Sequence, residues 1–510
     1  MHRLPYACAL FAAIAMMPAQ DPTAAWFAKG PIPELQLVLT DDAIASLRQE
    51  PRKYVRAELR ETGGSELRVS VKLKGSAGSF RDVDDRPGFT VEVRGPGESD
   101  FHGLVKFHLN NGVQDETLLQ EGLAYEVFRR AGLPAPLVTH ARVFLGERDL
   151  GLYVLKEGYD ERFAARHLGG VDGNLYDGGT NGEVYDDLER DAGKGPLDRA
   201  DLKALAAACG EGDAAARKRA VAACLDVDRF LSFMAVEVMI CHWDGYTQNP
   251  NNYRIWFDRE HRATFVPHGA DQVFVDPQAA LFDKFAGRVA QVVWSDAEWR
   301  AALRKRVKTL LPLFDPPDVL INWVRERAAR LRPHAPELER SWRDLEQRIT
   351  ERARYLADAV ERPEPKPFVV GPGGAALGDL SWRVETQCDD VVLERLGEPE
   401  PRLRIAAGGC GECVGSFRTK VLLPAGRYEL RADMTMTGVV AFGDEGRRGA
   451  GVRISGGERK EVYEGTGERA VVFAFEVDEP LRQVVLVVEL RATKGEVVFP
   501  LSSLRLVPAK

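Results

Sequence analysis

The sequence predicts an α+β domain, strands first and helices after, followed by an all-β domain. Three observations predict it. Residues 33–155 carry short runs that alternate apolar and polar, as half-buried strands do. From about 160 to 362 the apolar spacing lengthens to that of amphipathic helices. Beyond a Pro- and Gly-rich stretch at 363–374 the short alternating runs return.

At 510 residues the chain exceeds one ordinary core, so two or three domains are expected. A formal charge of −8 argues against a general nucleic-acid binder, which needs a basic face. The N-terminus reads as an export signal over residues 1–20: His2 and Arg3 start it, Ala7 to Met17 is an apolar run of 11 residues, and Pro18-Ala19-Gln20 reads as the cleavage region. The expectation is a secreted, periplasmic or surface protein with no transmembrane segment after cleavage. Six cysteines then remain, an even number that permits disulfides. Cys209 and Cys224, on neighbouring helical segments, are one candidate pair. Cys410-Gly411-Glu412-Cys413, with only Cys388 nearby, fits a disulfide better than a structural zinc, which takes four ligands.

The first strand is Leu35 to Leu39. Leu67 to Leu73 alternates strictly, and Phe89 to Val93 does so again; between them lies the small-residue loop Lys74-Gly75-Ser76-Ala77-Gly78-Ser79. Leu104 to Leu109 is a strand closed by the turn Asn110-Asn111-Gly112. Asp115 is placed to cap a helix whose apolar face is Leu118, Leu119, Leu123, Val127 and Phe128, and Gly132 and Pro134 stop it. Thr139 to Leu145 and Gly151 to Lys156 form a hairpin. The predicted product is a sheet with one helix packed on it. Lys156-Glu157 ends this lobe, either at a hinge to the next lobe or as a plain surface pair.

Helices are predicted over Leu202–Cys209, Asp213–Cys224, Asp226–Cys241, Trp294–Leu311, Asp318–Leu331 and Pro336–Val360. Asn174 to Gly179 reads as a loop over a cleft. Tyr253–Phe257 and Ala263–Val266 form a short hairpin. The predicted domains are 21–362, a linker at 363–374, and 375–510, where about eight short strands suggest a β-sandwich or jelly roll.

The chemistry concentrates in His242-Trp243-Asp244-Gly245-Tyr246-Thr247-Gln248-Asn249-Pro250-Asn251-Asn252 and in Asp271, 19 residues after Asn252. Phosphoryl-transfer sites use this order of parts: a carboxylate takes the proton of the attacking hydroxyl, and an Asn and a later Asp hold metal ions. A strand-rich lobe followed by a helical lobe that carries the acids on a small hairpin is the general plan of a protein kinase, two-lobed. An alternative set, His242, Asp244, His268 and Asp271, has the chemistry of a metal-dependent hydrolase but lacks its motif spacing.

An ordered set of segments resembles the CotH family, atypical secreted protein kinases named from a spore-coat protein H. The segments are Lys74-Gly75-Ser76 with Arg86-Pro87-Gly88-Phe89, Phe101-His102-Gly103-Leu104 with Leu109-Asn110-Asn111, and Glu121-Gly122-Leu123-Ala124-Tyr125 with Gly132-Leu133-Pro134-Ala135. Gly151-Leu152-Tyr153 with Glu157, Trp243-Asp244 with Asn251-Asn252-Tyr253, and Pro267 to Asp271 complete it, over about residues 65–275. The resemblance implies a kinase-like fold and transfer of the ATP γ-phosphate to Ser or Thr of exported proteins, with Mg²⁺ or Mn²⁺. It implies Asp244 as the catalytic acid, Asn252 and Asp271 as metal ligands, and Lys74, Gly75, Ser76, Arg86, Glu121 and Glu157 as ATP-binding, with Arg86 or Lys74 as the phosphate-binding cation that Glu121 steadies. The family commonly has Lys where this chain has Arg86, and often Pro-Trp-Asp-x-Asp where this chain has Pro267-His268-Gly269-Ala270-Asp271. These departures define the alternative, a non-catalytic pseudokinase or surface scaffold. The C-terminal domain is expected to meet a glycan or a cell-surface ligand.

Overall fold

The computed structural model describes residues 21–64, 66–94, 100–364, 366–388, 390–409, 411–443 and 446–509. The expected signal segment and Cys410 lie outside them. Two compact units divide the chain, Met1–Arg362 and Pro363–Lys510. Among the described residues no helix is long and apolar enough to cross a membrane.

The first unit opens with α1 (Pro22–Lys29) and α2 (Asp41–Gln49), capped by the side chains of Asp21 and Thr40. Its strands are β1 (Glu34–Val38), β2 (Val55–Glu61), β3 (Glu66–Lys74), β4 (Gly88–Val93), β5 (Lys106–Asn110), β6 (Val138–Leu145) and β7 (Arg148–Glu157). They do not form an open sheet. The order β1-β2-β3-β4-β5-β7-β6 closes on itself where β6 pairs parallel to β1, Glu34 opposite Arg142 and Leu37 opposite Leu145. Closure leaves no unpaired strand edge. Alternate residues fill the barrel: Val69, Val71 and Leu73 from β3, Phe89 and Val91 from β4, Tyr153 and Leu155 from β7. The charged β2 has only Val55, Ala57 and Leu59 in phase, and sequence reading passed over it.

The opposite phase of β7, Leu152 and Val154, packs in a second core with α3 (Gln120–Arg130) and the helices that follow. Helix α3 starts five residues after Asp115. The Asp115 carboxylate takes the N–H of Thr117 (2.9 Å), closing a turn before the helix, and also that of Gln120 (2.8 Å), the first residue of α3, so it serves the helix N-terminus from outside the cap position.

After α4 (Glu161–His167), strands β8 (Asn174–Asp177) and β9 (Glu189–Gly193) join β10 (Tyr253–Phe257) and β11 (Ala263–Pro267) in a four-stranded sheet of order β11-β10-β8-β9. The segment expected as a loop over a cleft is therefore partly a strand, with Asn174, Leu175 and Tyr176 buried. The helices are α5 (Ala200–Gly210), α6 (Ala214–Cys224), α7 (Val227–Met239), α8 (Arg288–Ser295), α9 (Ala297–Leu310), α10 (Asp318–Leu331) and α11 (Glu339–Ala359). Cys209 and Cys224 are both free thiols, and Cys224 hydrogen-bonds the carbonyl of Ala220 in its own helix at 3.2 Å.

Arg352 of α11 is wholly buried, and among the described residues four carbonyls receive its hydrogen bonds. Its guanidinium donates to Val238 (2.6 Å) and Met239 (2.9 Å) at the end of α7, and to Pro277 (3.1 Å) and Ala279 (2.6 Å). A cation suits the negative end of a helix, and this one fixes the place where α7 gives way to the Asp244 loop.

The second unit is all strand: β12 (Ala375–Ala376), β13 (Arg383–Thr386), β14 (Val391–Leu396), β15 (Arg402–Ala407), β16 (Cys413–Ala441), β17 (Gly449–Ile454), β18 (Gly465–Pro500) and β19 (Arg505–Pro508). Several short runs expected from the sequence merge into β16 and β18, which pair from Cys413 opposite Ala492 to Met434 opposite Arg469. The core holds Leu403, Ile405, Phe417, Leu430, Val452, Leu486, Val488 and Phe499. A buried carboxylate, Glu489, is gripped at both oxygens by Arg453 (2.8 Å each) and again by Arg459.

Replacing Arg352 with Met leaves the four carbonyls without their donor. At about 1–3 kcal/mol per unsatisfied buried group, with partial relaxation, the expected loss is roughly 3 kcal/mol of unfolding free energy. Urea denaturation of the purified chain measures it.

Candidate functional site

In β7 the residues Leu152, Val154 and Lys156 share the phase that faces α3. The first two are apolar and buried, so a lysine in third place must bury its charge as well, and it needs a partner. Glu121, in the first turn of α3, supplies it: Lys156 Nζ and Glu121 Oε1 are 2.7 Å apart, with side-chain exposures of 0% and 2%. Tyr125, one turn on, donates its hydroxyl to the same oxygen at 2.7 Å. The other Glu121 oxygen accepts from the Asn110 amide at 2.5 Å, and the carbonyl oxygen of that amide accepts from Lys74. Burial works to raise the Glu121 carboxyl, but Lys156 and then Lys74 hold it below its ordinary value.

Lys156 also lies 3.3 Å from Nδ1 of His268, just past β11. Tyr159 donates to the carbonyl of Pro267 at 2.6 Å, and its ring lies 4.8 Å beneath the guanidinium of Arg254, which pairs with Asp177 and Asp191 at 2.7 Å each. The end of barrel strand β7 is thus tied to the β10–β11 hairpin. Burial, then the charges of Lys156 and Arg254, push the His268 ring far below its ordinary value, so the ring is neutral.

The Asp244 loop leaves α7 through a sharp turn. His242 N–H reaches the carbonyl of Glu237 at 2.9 Å, and Cys241 has φ +60°. Beneath the loop the fully buried Glu237 accepts from the N–H of Thr247 at 2.7 Å and lies 3.4 Å from His242 Nδ1. Gly245 sits on this pair. A Cβ there would stand 2.3 Å from Glu237 Oε1 and 2.5 Å from His242 Nδ1, so only glycine fits. Above, the Asp244 carboxylate is oriented by three amides: Asn249 at 2.8 Å, Asn251 at 3.1 Å to each oxygen, and Asn252 at 2.8 Å.

Asn252 joins this loop to the end of the β10–β11 hairpin, from which the chain runs on to Asp271. The N–H of His268 donates to the Asn252 carbonyl at 3.0 Å, which adds a rung to the β10–β11 hairpin. Gly269, with φ +49°, lies against the Asn252 amide; a Cβ on it would be 2.2 Å from Oδ1. Two residues later Asp271 enters the field of the Lys156–Glu121 pair. Burial first, then Glu121 and Asp115, push its carboxyl up to about 7 against the pull of Lys74 and Lys156. Lys74 is drawn down to about 7 by burial and then by Lys156.

The oxygens of this corner suit a hard divalent cation. Asn252 spends its N–H groups on Asp244, and among the described residues neither its Oδ1 nor the Asp271 carboxylate carries a hydrogen bond. Among those residues no three His, Cys, Asp or Glu side chains gather as a metal cluster. Of the imidazoles of the hydrolase alternative, His268 meets Lys156 and Tyr159 through Nδ1, and His242 is buried 3.4 Å from Glu237 with neither ring nitrogen hydrogen-bonded among the described residues.

Other sequence-singled residues lie apart. Gly75 (φ +110°) and Ser76 stand in an exposed turn that Ser79 closes by accepting from the Ser76 N–H at 3.0 Å. Arg86 donates to the carbonyl of Leu152 at 2.6 Å and lies 5.3 Å over the Tyr153 ring. It lines a cleft of about 240 Å³ with Asp115, Glu116, Arg142, Leu152 and His334. It does not touch Glu121. Glu157 is buried and saturated by Arg166, by His167 at 2.8 Å and by the N–H of Leu137 at 3.0 Å. Lys156 and Glu157 are neither of them at the surface. The sequence offers Arg86 or Lys74 as the cation for Glu121, and the structure puts Lys156 there. Its signal was its phase, third after two buried apolar residues on one face of a strand.

A mixed α/β architecture with a closed barrel carries this site, and the CotH kinase protein family matches residues 71–364. That is more than half of the chain, and the chain belongs to that family. No curated protein matches it. Among solved structures, TmCBM61 in complex with β-1,4-galactotriose is 17% identical, the match covering 28% of this chain and 99% of that one, with a TM-score of 0.20. The enzymatically active domain of bacteriophage CBA120 tailspike protein 4 is 11% identical over 28% of this chain and 21% of its own, with a TM-score of 0.18.

Lys156→Met strands a buried carboxylate and is expected to cost roughly 3–5 kcal/mol, much of it recovered in the Lys156→Met/Glu121→Leu double variant; denaturant titration of the four proteins reads the coupling. The pH dependence has two arms. Asp271 binds its proton more tightly folded than unfolded, so stability falls as pH rises from near 4 to about 7. Lys74 binds its proton less tightly folded, so its contribution makes stability rise from about 7 toward 10. Melting temperatures in chelator-containing buffer are expected to lose the first arm in Asp271→Asn and the second in Lys74→Met.

Proposed function

We propose that the first unit is a two-lobed, kinase-like domain that transfers the γ-phosphate of ATP to Ser or Thr of exported or cell-surface proteins. The observation that carries this reading is the buried Lys156–Glu121 pair, whose charges act on Asp271, with Asn252 bound to Asp244 and in line with the hairpin end that leads to Asp271. Membership of the CotH kinase family supports kinase-like chemistry in general.

In this reading Asp244, held by its three amides, receives the acceptor hydroxyl and takes its proton as the oxygen attacks the γ-phosphorus and the β–γ bridging bond breaks. Lys156, kept in place by Glu121, and Lys74, linked to Glu121 through Asn110, present positive charge to the phosphates. Asn252 and Asp271 would hold Mg²⁺ or Mn²⁺, which neutralises phosphate charge when bound. Glu237, His242 and Gly245 hold the height of the Asp244 loop. Arg86 belongs to the neighbouring cleft.

The second reading, a non-catalytic scaffold, rests on Gly269. The family's frequent first acid is missing there, and the Asn252 amide fills the space that its side chain would need.

Purified chain with labelled ATP, Mn²⁺ and a casein-like acceptor separates the two. Transfer that falls at least about 100-fold in Asp244→Ala and in Lys156→Met supports the kinase. A rise in KM for ATP in Arg86→Ala assigns the cleft to the nucleotide. No transfer and no nucleotide-induced thermal shift supports the scaffold.

A further inference from the structure

Strand β13 is a weak element. It has four residues, all exposed, and among the described residues its one partner strand is β16. Its register places Glu385 opposite Ser416 and Thr386 opposite Gly415. The ladder runs on past the strand's end, with the N–H of Gln387 donating to the carbonyl of Val414 at 3.1 Å. One step further, the same register sets Cys388 opposite Cys413. The return bond that Val414 would make to backbone goes instead to the Cys388 sulfur at 3.3 Å. Cys413 Sγ lies 3.8 Å from the carbonyl of Asp390, so both sulfurs stand at the same end of the ladder. Residues directly opposite in an antiparallel pair have Cβ atoms about 4.5–5.5 Å apart, closest at the non-hydrogen-bonded positions. A disulfide needs about 3.5–4.5 Å, a small adjustment at the free end of a short edge strand.

We propose that Cys388 and Cys413 are a disulfide site, a covalent staple that fastens the exposed edge strand β13 to β16. Both are thiols in this structure. The oxidant is a small-molecule disulfide of the glutathione class. Cys388 is partly exposed and Cys413 is buried, so the Cys388 thiolate attacks first. It forms a mixed disulfide and releases one small thiolate. The Cys413 thiolate then displaces the second, forming the Cys388–Cys413 bond. The two protein thiol protons pass to the released thiolates, and the small disulfide is reduced by two electrons. The pairing differs from a bridge within Cys410-Gly411-Glu412-Cys413, which the sequence alone suggests equally well. Cys410 lies outside the described residues and is the competing partner.

The test uses the full chain equilibrated with oxidised glutathione, alkylated and digested without reduction. Trypsin releases Val384–Arg395 and Ile405–Arg418, and cleavage after Glu412 separates Cys410 from Cys413. The expected product joins the Cys388 fragment to the Cys413 fragment, with Cys410 alkylated. Oxidation is expected to raise the melting temperature of the transition that contains this unit, on the order of 5 °C, and Cys388→Ser is expected to fold but to lose that shift. A bridge from Cys410 to either partner, alkylation of both Cys388 and Cys413, or stoichiometric zinc released on thiol blocking overturns the proposal.

Discussion

Burying Lys156 against Glu121 is the constraint on which the first unit's arrangement rests. Removing two full charges from water costs several kcal/mol each, and their mutual attraction offsets this only when geometry and secondary hydrogen bonds are good. Both conditions hold: the pair is 2.7 Å apart, Tyr125 and Asn110 complete the carboxylate, and Lys74 stands behind Asn110. Because one partner lies on the barrel and the other on α3, the pair fixes the helix against β7. Because Lys156 also meets His268, it brings the β10–β11 hairpin to the same point. Asp271 is then held near two ammonium groups and two carboxylates, a field that leaves its charge poised rather than settled.

The loop that carries Asp244 depends on a different kind of constraint, a steric one. Glu237 and His242 fill the floor, Gly245 is the only residue small enough to lie on them, and the Asn249, Asn251 and Asn252 amides close over the carboxylate. Arg352 anchors the helix end from which the loop departs. The second unit offers a contrast. Its buried Glu489 is gripped by two guanidinium groups with no room left for chemistry, as befits an ion cluster that joins strands β17 and β18.

Several groups of the candidate site are legible in the chain. Asp244, Asn252 and Asp271 stood out because acid, amide and acid recur at a spacing with chemical meaning, and Glu121 because a charge interrupts an apolar helix face. The cation was harder. Lys74 and Arg86 lie beside small-residue loops and look available, whereas Lys156 ends a strand and looks like a surface residue. Arg86 turns to the carbonyl of Leu152 and the Tyr153 ring instead. Asn174 to Asp177 read as loop because its turn-forming residues outweigh two apolar ones, yet pairing with β10 on one side and β9 on the other makes it a strand.

The sequence by itself determined the periodicities, and with them the succession of a strand-rich, a helical and a second strand-rich region, the break near residue 362 and the identity of the chemical groups. These follow from interactions between residues close in the chain. Only the tertiary structure decided that the seven strands close into a barrel, that Lys156 and not Arg86 meets Glu121, and that Cys388 faces Cys413. Strand closure, ion pairing and thiol pairing depend on distances across the fold and on which groups lose their water together, and no local pattern encodes either.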